Sequence, residues 1–410
     1  MLRFYEKNRE ALIYPLTVTN DTPFHIAVYN TSKSPLQELL HIFPNNALIA
    51  KANDKKNTPL HEAGAIGNME AAQLLVRFSP EQLEAKNALG ETPFFRAAAF
   101  GMTEMVKYLA SEVRSRHCDM QIQRIRDDNT SILHSAIHGQ HFVTLVVKAI
   151  YIIWTSRGST ASGKETALWL LRNDEILEDL MDNKGRTCLQ LLANIKSAFK
   201  SGYPMCRFES FIYFSITGMY SSWWMFLAAG WPMIGKIQNK KKKHESSWKL
   251  AKLLIKKDRS WEKTHTKPDI GIISFGETEG SESEKEGVVG KKEEKKGNND
   301  NVNPLPFPTT PLLIATSTGI EEIVNGILKE HPQAVEHVSD EGLNIMHVAI
   351  RHRQRNIFKR VKKMKILMVR LVRKIDDNGY TLLHHVSDMT HYYSSGSLPN
   401  AALQLQDELK

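Results

Sequence analysis

A short pattern that recurs along the chain constrains its fold more than any other feature. One copy reads "NTPLHEAG" from Asn57, and the others are variants of it. They are "DTPFHIAV", "ETPFFRAA", "TSILHSAI", "RTCLQLLA", "TTPLLIAT", "LNIMHVAI" and "YTLLHHVS". The threonine position of the pattern falls at residues 22, 58, 92, 131, 187, 310, 344 and 381, so five of the seven intervals lie between 34 and 39 residues. Recurrence at such a period is typical of stacked supersecondary units.

The residues of the pattern suit the two ends of a helix. Thr58 can cap a helix by accepting a hydrogen bond from an amide two or three residues later, and Pro59 suits the first helical position. Gly67 stands where the helix should end in a left-handed residue. Apolar residues at helical spacing follow in "MEAAQLLV" and predict a second helix. Between copies, "NALG", "DNKG" and "DDNG" predict turns in which glycine supplies a positive φ.

Helix pairs of this kind cannot bury their apolar faces alone, so we predict an all-α solenoid in which neighbouring pairs stack. The histidines of the pattern are expected to hydrogen-bond and fix the turn before the helix. We predict structural roles for the residues at the recurring positions, which are Thr22, His25, Thr58, Pro59, His61, Gly67, Thr92, Pro93, Gly101, His134, Thr187, Thr310, Pro311, Gly319, His347, Thr381 and His384.

The recurring pattern resembles the ankyrin repeat over residues 1–200 and 304–390. Further segments, among them "FYEKNREALIYPLTVTNDTPFHIAVYN" and "HRQRNIFKRVKKMKI", resemble a plant ankyrin family whose repeats precede a C-terminal membrane domain named for its Pro-Gly-Gly (PGG) motif. The resemblance implies an ankyrin-repeat solenoid that binds proteins in membrane-associated defence or stress signalling. It also implies that the membrane domain is absent from this chain, because Lys410 falls about where that domain would begin.

The spacing of the repeats predicts the domain organisation. We expect about five repeats at 1–200, with an insertion near 150–172 because one interval reaches 56 residues, and about three repeats at 304–390. The linker 201–303 contains an apolar segment (210–235), a basic amphipathic helix (236–263) and a stretch (264–303) whose few apolar residues predict disorder. Residues 391–410 are expected to form a C-terminal tail.

One stretch of the insertion, "RGSTASGKET", resembles a nucleotide-binding loop. Gly158, Gly163 and Lys164 have the spacing of such loops, which also need Ser or Thr directly after the lysine to bind Mg²⁺. Glu165 occupies that position, and Thr166 comes one residue too late. The interval also leaves no room for the sheet of a nucleotide-binding domain. We therefore predict a loop inserted into the solenoid and no cofactor.

Signals for metal binding and for other catalysis are equally weak. His134, His138 and His141 in "HSAIHGQH" could share a helix face, but His134 belongs to the recurring pattern and Gly139 should end the helix. The chain contains neither HExxH nor GxSxG. Cys188 occupies a proline position of the pattern, where it should be packed. We predict no catalytic residues, no metal ligands and no small-molecule substrate.

The apolar segment 210–235 allows two interpretations. Its 26 residues carry no charge, and a helix of that length is long enough to cross a bilayer core of ~30 Å. Trp223, Trp224 and Trp231 could be interfacial anchors beside the basic residues that follow. Pro232, three glycines and four serines suit a spanning helix poorly. A spanning helix and an interfacial or semi-buried segment both remain open.

Positive charge is concentrated in two segments. The net charge is +9, yet residues 236–263 contain eleven basic and three acidic residues, and residues 351–374 contain eleven basic and no acidic ones. The second segment predicts a patch that attracts anionic lipid headgroups or an acidic partner. Its candidate residues are Arg353, Lys359, Arg360, Lys362 and Lys363. No nucleic-acid-binding module accompanies the charge, so we expect no nucleic acid.

Three cysteines without CxxC spacing, and a first segment without a signal peptide's apolar core, favour the cytoplasm. Together with the resemblance, they predict a location at the inner face of the plasma membrane or of another membrane. The function predicted from the sequence is a non-enzymatic scaffold for an unidentified protein partner. The alternative is a membrane-spanning or membrane-tethered signalling or transport-regulating protein that uses residues 210–235.

Overall fold

The structure, a computed structural model, describes residues 7–8, 14–30, 34–43, 46–140, 166–203, 205–215, 232–258 and 310–387. Several predictions fall outside these residues. They concern the nucleotide-loop lookalike up to Glu165, His141, the tryptophan-rich residues 216–231, the stretch 264–303 and the tail 391–410.

The described residues form α-helices joined by turns and short 3₁₀ helices. In chain order the α-helices are α1 (Pro23–Tyr29), α2 (Ser34–Ile42), α3 (Asn46–Ile49), α4 (Pro59–Ile66), α5 (Met69–Phe78), α6 (Pro93–Ala99), α7 (Thr103–Ser115), α8 (Met120–Arg124), α9 (Ile132–His138), α10 (Thr166–Asn173), α11 (Cys188–Ala193), α12 (Arg207–Ser215), α13 (Pro232–Lys257), α14 (Pro311–Thr318), α15 (Glu321–Glu330), α16 (Ile345–Arg351), α17 (Arg355–Lys362), α18 (Lys365–Val372) and α19 (Leu382–Ser387). Strand-like pairing in these ranges is confined to three isolated bridges, one directly before each of α9, α11 and α16. Each of these helices is the first helix of its repeat.

The helices divide between two compact units, residues 1–258 with 320–330, and residues 259–319 with 331–410. In the first unit α1, α4, α6, α9 and α11 each begin directly after a threonine position and contact one another in chain order. In the second unit α14, α16 and α19 do the same. These contacts confirm the prediction of an all-α solenoid of helix-turn-helix repeats.

Large and small apolar residues alternate where neighbouring first helices meet. In every repeat except the last, the residue two places after the threonine position is large and buried, as at Leu60 and Leu133, and burying such a side chain contributes about 1.5–3 kcal/mol. The residue five places after the threonine position is alanine in six repeats, as at Ala63 and Ala97, both fully buried. The approach is close enough that a Cβ on Gly64 would lie 2.8 Å from the carbonyl oxygen of Pro93. The pattern therefore fixes the distance between repeats as well as their apolar face.

A left-handed residue stands two places before the threonine position wherever the structure describes that turn. Glycine supplies it at Gly90, Gly185, Gly342 and Gly379. Three other turns use Asn20, Lys56 and Asn129, with φ of 58°, 55° and 62°. Four neighbouring pairs of turns are also bonded to each other, as where the amide of Ala88 donates to the carbonyl oxygen of Lys55 at 2.9 Å. The turn geometry is thus kept even where the sequence lacks glycine.

The ends of the first helices follow the same principle. Gly67, Gly101 and Gly319 adopt the predicted left-handed conformation, with φ of 80°, 68° and 80°. The equivalent position, nine residues after the threonine position, is filled by Gln140 and Arg353 in two other repeats, with φ of 53° and 54°. The helix-ending glycines were predicted correctly, and the two other residues meet the same backbone requirement at a higher conformational cost.

The helix that pairs with α9 is α10. Its first residue, Thr166, is fully buried, and its hydroxyl lies 2.7 Å from that of Thr103, the first residue of α7 in the preceding repeat. Helix α10 contacts both α9 and α7. The expected insertion near 150–172 therefore needs correction, because residues 166–172 belong to a packed helix. The extra residues of this repeat precede Thr166.

The long helix α13 agrees with the prediction of an amphipathic helix after the first repeats. Leu250, Ala251 and Leu254 are buried, and the helix packs on α10, α11, α12 and α15. A Cβ on Gly326 of α15 would lie 2.9 Å from the Trp248 ring, so the two helices are in close contact. Helix α15 consequently groups with the first unit rather than with the second predicted block. None of the described helices is long and apolar enough to cross a membrane.

Replacement of Lys56 by glycine is expected to stabilise the protein. A left-handed conformation costs a residue with a side chain ~1–2 kcal/mol, and the greater freedom of glycine when unfolded offsets ~0.5–1 kcal/mol of that gain. We expect the free energy of unfolding in urea to rise by about 0.5–1 kcal/mol. Lys55→Gly, one residue earlier and outside the left-handed region, is the matched control and should lower it. Equal losses in both variants would contradict the turn assignment.

Candidate functional site

Buried histidines join consecutive repeats. The Nδ1 atom of His25 accepts the Thr22 amide proton at 3.1 Å, and its Nε2–H donates to the carbonyl oxygen of Asn57 in the next repeat at 2.9 Å. His61 repeats this arrangement, because its Nε2–H donates to the carbonyl oxygen of Glu91 at 2.9 Å. Both rings are fully buried. Each histidine thus fixes its own turn and bonds the following repeat, as the sequence predicted for the turn.

The other copies of this position show where the bond is kept. His134 reaches the carbonyl oxygen of Arg186 at 3.0 Å. Phe95 replaces the histidine in the third repeat and is fully buried. In the second unit, His347 is buried but its Nε2 atom has no hydrogen-bond partner, and exposed His384 bonds only within its own turn. Among the described residues, the histidine bond to the carbonyl before the next threonine position is found at His25, His61 and His134, all in the first unit.

Burial keeps these histidines neutral. Desolvation lowers the pKa of His61 and of His347 to about 4, and it also lowers the pKa of His25 and of His134. The ring must be neutral because Nδ1 accepts a hydrogen bond while Nε2–H donates one. Protonation would break the Nδ1 contact and place a charge in an apolar layer.

Acid is expected to destabilise the fold through these histidines. An unfolded histidine takes up a proton below about pH 6.5, whereas folded His61 does so only near 4, so the unfolded state binds more protons between those values. Stability therefore falls as pH drops through this window. For His61, the free energy of unfolding should decrease by about 1 kcal/mol between pH 7.5 and 5.5. In urea titrations, the free energy of unfolding of His61→Gln should fall by about 1 kcal/mol less than that of the natural chain over this pH range. An unchanged pH dependence would contradict the neutral, buried state of His61.

A ladder of charged side chains crosses the first helices of three repeats. The guanidinium of Arg96 on α6 lies 3.6 Å from the carboxylates of both Glu62 and Glu91. Arg126 reaches Glu91 at 3.3 Å, and the Tyr29 hydroxyl donates to Glu62 at 3.1 Å. Partial burial, together with the Glu62 charge, raises the pKa of Tyr29 to about 12. We call Glu62, Glu91, Arg96 and Arg126 the charged ladder; the carboxylates of Glu62 and Glu91 are buried, so their geometry is held within the protein itself.

Apolar side chains are exposed beside the charged ladder. Tyr29 ends α1, Ile66 ends α4, and Phe100 follows α6, and their exposed fractions are 50 %, 42 % and 48 %. Leu89, in the turn before α6, is 56 % exposed. The guanidinium of Arg96 lies 5.1 Å from the centre of the Phe100 ring, which joins this set to the ladder. We call Tyr29, Ile66, Leu89 and Phe100 the recognition strip. Exposed apolar side chains held on adjacent helices indicate a site for a macromolecular partner.

A comparison with protein families identifies the repeats. The family model described as "Ankyrin repeats (3 copies)" matches residues 24–119 and, in an overlapping match, residues 63–155. Residues 24–155 therefore match ankyrin repeats. The matched residues include the charged ladder and the recognition strip. Ankyrin repeats are in general binding modules that present a stacked surface to other proteins.

Three further threonine positions of the recurring pattern cap helices. Thr92, Thr187 and Thr310 accept hydrogen bonds from the amide three residues later, at 3.2–3.4 Å. Thr381 instead donates its amide proton to His384. Pro59, Pro93 and Pro311 stand at the first helical positions. These residues organise the repeats and are separate from the recognition strip.

The charged ladder and the recognition strip were not predicted from the sequence. A signal for the ladder is present, because Glu62 and Arg96 stand at the same position of adjacent repeats with opposite charges. A signal for the strip is present in Ile66 and Phe100, which both follow their threonine position by eight residues. Both signals lie at positions that the helix-start pattern does not constrain.

Two residues from the enzyme-like motifs have structural surroundings. The Thr166 hydroxyl is engaged with Thr103, as expected of a residue misplaced for a nucleotide-binding loop. Cys188 is fully buried as predicted, and burial raises the pKa of its thiol well above the usual range. Across the ranges that the structure covers, no three His, Cys, Asp or Glu side chains are grouped so as to hold a metal ion.

In the second unit, α17 carries most of the predicted anionic-partner patch. Ile357 and Val361 are buried, whereas Lys359, Arg360 and Lys362 of the same helix, and Lys363 after it, are exposed. Within the described part of the chain, none of these four cations has a carboxylate partner. Arg353 differs, because it is half-buried and donates to the carbonyl oxygen of Val386 at 2.8 Å. We call Lys359, Arg360, Lys362 and Lys363 the basic patch.

Proposed function

We propose that the chain is a non-enzymatic scaffold that binds a protein partner through the recognition strip. The observation that carries this proposal is the exposure of Tyr29, Ile66 and Phe100 on consecutive, mutually packed helices. A partner would bury these side chains, and each fully buried one would contribute up to ~1.5–3 kcal/mol. We propose neither catalysis nor a small-molecule substrate.

The charged ladder supports the same proposal because its residue Arg96 contacts Phe100 of the recognition strip. Arg96 is held between two carboxylates and lies over Phe100, so the ring is positioned before binding. A surface that is already ordered loses little conformational entropy on binding. The partner surface proposed here is therefore apolar at its centre, with polar groups that can pair with the turn residues around the strip.

Changing the strip should abolish partner binding without unfolding the repeats. We expect the double variant Ile66→Ser, Phe100→Ser to lose at least tenfold in affinity for interacting proteins, which can be measured by quantitative affinity capture followed by titration of each captured protein. The matched control is Ile176→Ser, Met181→Ser, which changes two side chains of the same unit that are 53 % and 42 % exposed. Equal binding by the two variants would exclude the strip as the binding surface.

We further propose that this scaffold operates at the cytoplasmic face of a membrane, in plant defence or stress signalling. The support is the resemblance of the sequence to the PGG family and the unpaired charge of the basic patch. Four cations on one exposed face can attract an anionic leaflet at about 1 kcal/mol each. A spanning or tethered protein that uses residues 210–235 remains the alternative.

The basic patch is tested with vesicles. Replacement of Lys359, Arg360, Lys362 and Lys363 by Gln should reduce co-sedimentation with phosphatidylserine-containing vesicles several-fold, because the electrostatic attraction is lost. A control with the same change of charge replaces Lys55, Lys56, Lys107 and Lys184 by Gln. If both variants bind as the natural chain does, the patch takes no part in membrane attraction.

A further inference from the structure

Helix α12 exposes a row of phenylalanine side chains. Phe208, Phe211 and Phe214 have exposed fractions of 52 %, 71 % and 53 %. A spacing of three residues places all three on one side of the helix. Contiguous apolar surface of this kind is uncommon on soluble proteins unless it contacts a partner or a membrane. We call these residues the phenylalanine face.

The opposite side of α12 is firmly packed. Ile212 and Tyr213 are buried with Ile237 of α13 in one apolar cluster. The Tyr213 hydroxyl lies 3.1 Å from Nδ1 of His244, and the ammonium of Lys241 donates to the Tyr213 carbonyl oxygen at 3.0 Å. The phenylalanine face is therefore exposed on a helix that is already anchored, and the two sides of the helix have separate roles.

Two cations, Lys200 and Arg207, are exposed beside or on α12. The ammonium of exposed Lys200 lies 4.1 Å from the centre of the Phe214 ring. Arg207, the first residue of α12, is also exposed. The ammonium of Lys240 lies 3.9 Å from the ring centre of Tyr203, which is four residues before α12 in sequence.

Carboxylates also lie near α12. Glu209 accepts from the amide of Cys206 at 3.4 Å, and Glu322 accepts from the amide of Ser201 at 3.0 Å. Glu245 is exposed on α13, one residue beyond the histidine that Tyr213 contacts. The charged group in direct contact with a phenylalanine ring is the ammonium of Lys200.

We propose that the phenylalanine face docks onto an anionic lipid bilayer. The rings would enter the boundary between headgroups and acyl chains, while Lys200 and Arg207 would stay among the lipid phosphates. The chain that follows α12 suits this position, because residues 216–231 carry no charge and contain Trp223, Trp224 and Trp231. Tryptophan is enriched at that boundary.

Residues 210–215 of the apolar segment belong to α12, and residues 232–235 belong to α13. Residues 216–231 lie outside the described residues. This inference rests on the membrane location proposed above, and it adds an apolar contact on the first unit to the electrostatic attraction of the basic patch.

The test is co-sedimentation of the full chain with vesicles that contain about 30 % phosphatidylserine, and with vesicles of phosphatidylcholine alone. We expect the triple variant Phe208→Ser, Phe211→Ser, Phe214→Ser to lose at least tenfold in partitioning to the anionic vesicles. The matched control, Val18→Ser, Ile176→Ser, Met181→Ser, removes three exposed apolar side chains of the same unit and should bind vesicles normally. Circular dichroism checks that both variants are folded.

A second measurement reports on α12 directly. Cys206 is exposed one residue before α12, so an environment-sensitive fluorophore attached there should shift to shorter wavelength on anionic vesicles. The labelled Cys206→Ser chain corrects for label on other cysteines. The shift should vanish in the triple phenylalanine variant.

The outcomes separate this inference from the proposed function. Normal vesicle binding by the triple variant, or no fluorophore shift, would overturn docking by the phenylalanine face, and the basic-patch and strip variants would still test the earlier proposals independently. A change from dimer to monomer in the triple variant without vesicles, seen by sedimentation velocity, would identify the face as a contact between copies and would also overturn it.

Discussion

The hydrogen bond from a buried histidine to the backbone of the next repeat is the interaction on which the first unit depends. Each helix pair has an apolar side that needs a neighbour, and apolar contact alone does not fix the register of that neighbour. His25 and His61 fix it, because one ring nitrogen bonds the turn before its own helix and the other bonds the carbonyl of Asn57 or Glu91. Register, turn geometry and helix start are therefore set by one side chain.

This division of work leaves other positions of each repeat free for binding. Side chains at the threonine, proline, histidine and small apolar positions are used for stacking, whereas those of Ile66, Leu89 and Phe100, at helix ends and turns of the first unit, are exposed. The guanidinium of Arg96, in the charged ladder, contacts the Phe100 ring. The proposed functions use exposed surfaces: the strip for a protein, the phenylalanine face of α12 and the basic patch for a membrane.

Much of the fold could be predicted from the sequence because the repeat pattern encodes backbone requirements directly. The capping role of Thr92 and the left-handed conformation of Gly67 agree with the sequence because helix caps and left-handed helix ends require particular residue types. Gln140 and Arg353 escaped prediction because neighbouring contacts can impose a left-handed conformation on residues that do not favour it. The position of α10 was not predicted because the apolar runs 142–150 and 167–172 both suit the second helix of that repeat. The ladder and the phenylalanine face depend on which side of a helix is buried, and that is decided by packing between distant segments.

The register of the fourth repeat tests this account most directly. If Thr166 begins the second helix as Thr103 does in the repeat before, removal of residues 141–164 should restore the ordinary spacing, with Glu165 following Gln140. We predict that the shortened chain folds, unfolds in one cooperative urea transition of its first unit, and keeps the amides of α9, α10 and α11 protected from hydrogen exchange. Loss of that protection, or a first unit that no longer unfolds cooperatively, would contradict the assignment of α10 to the repeat.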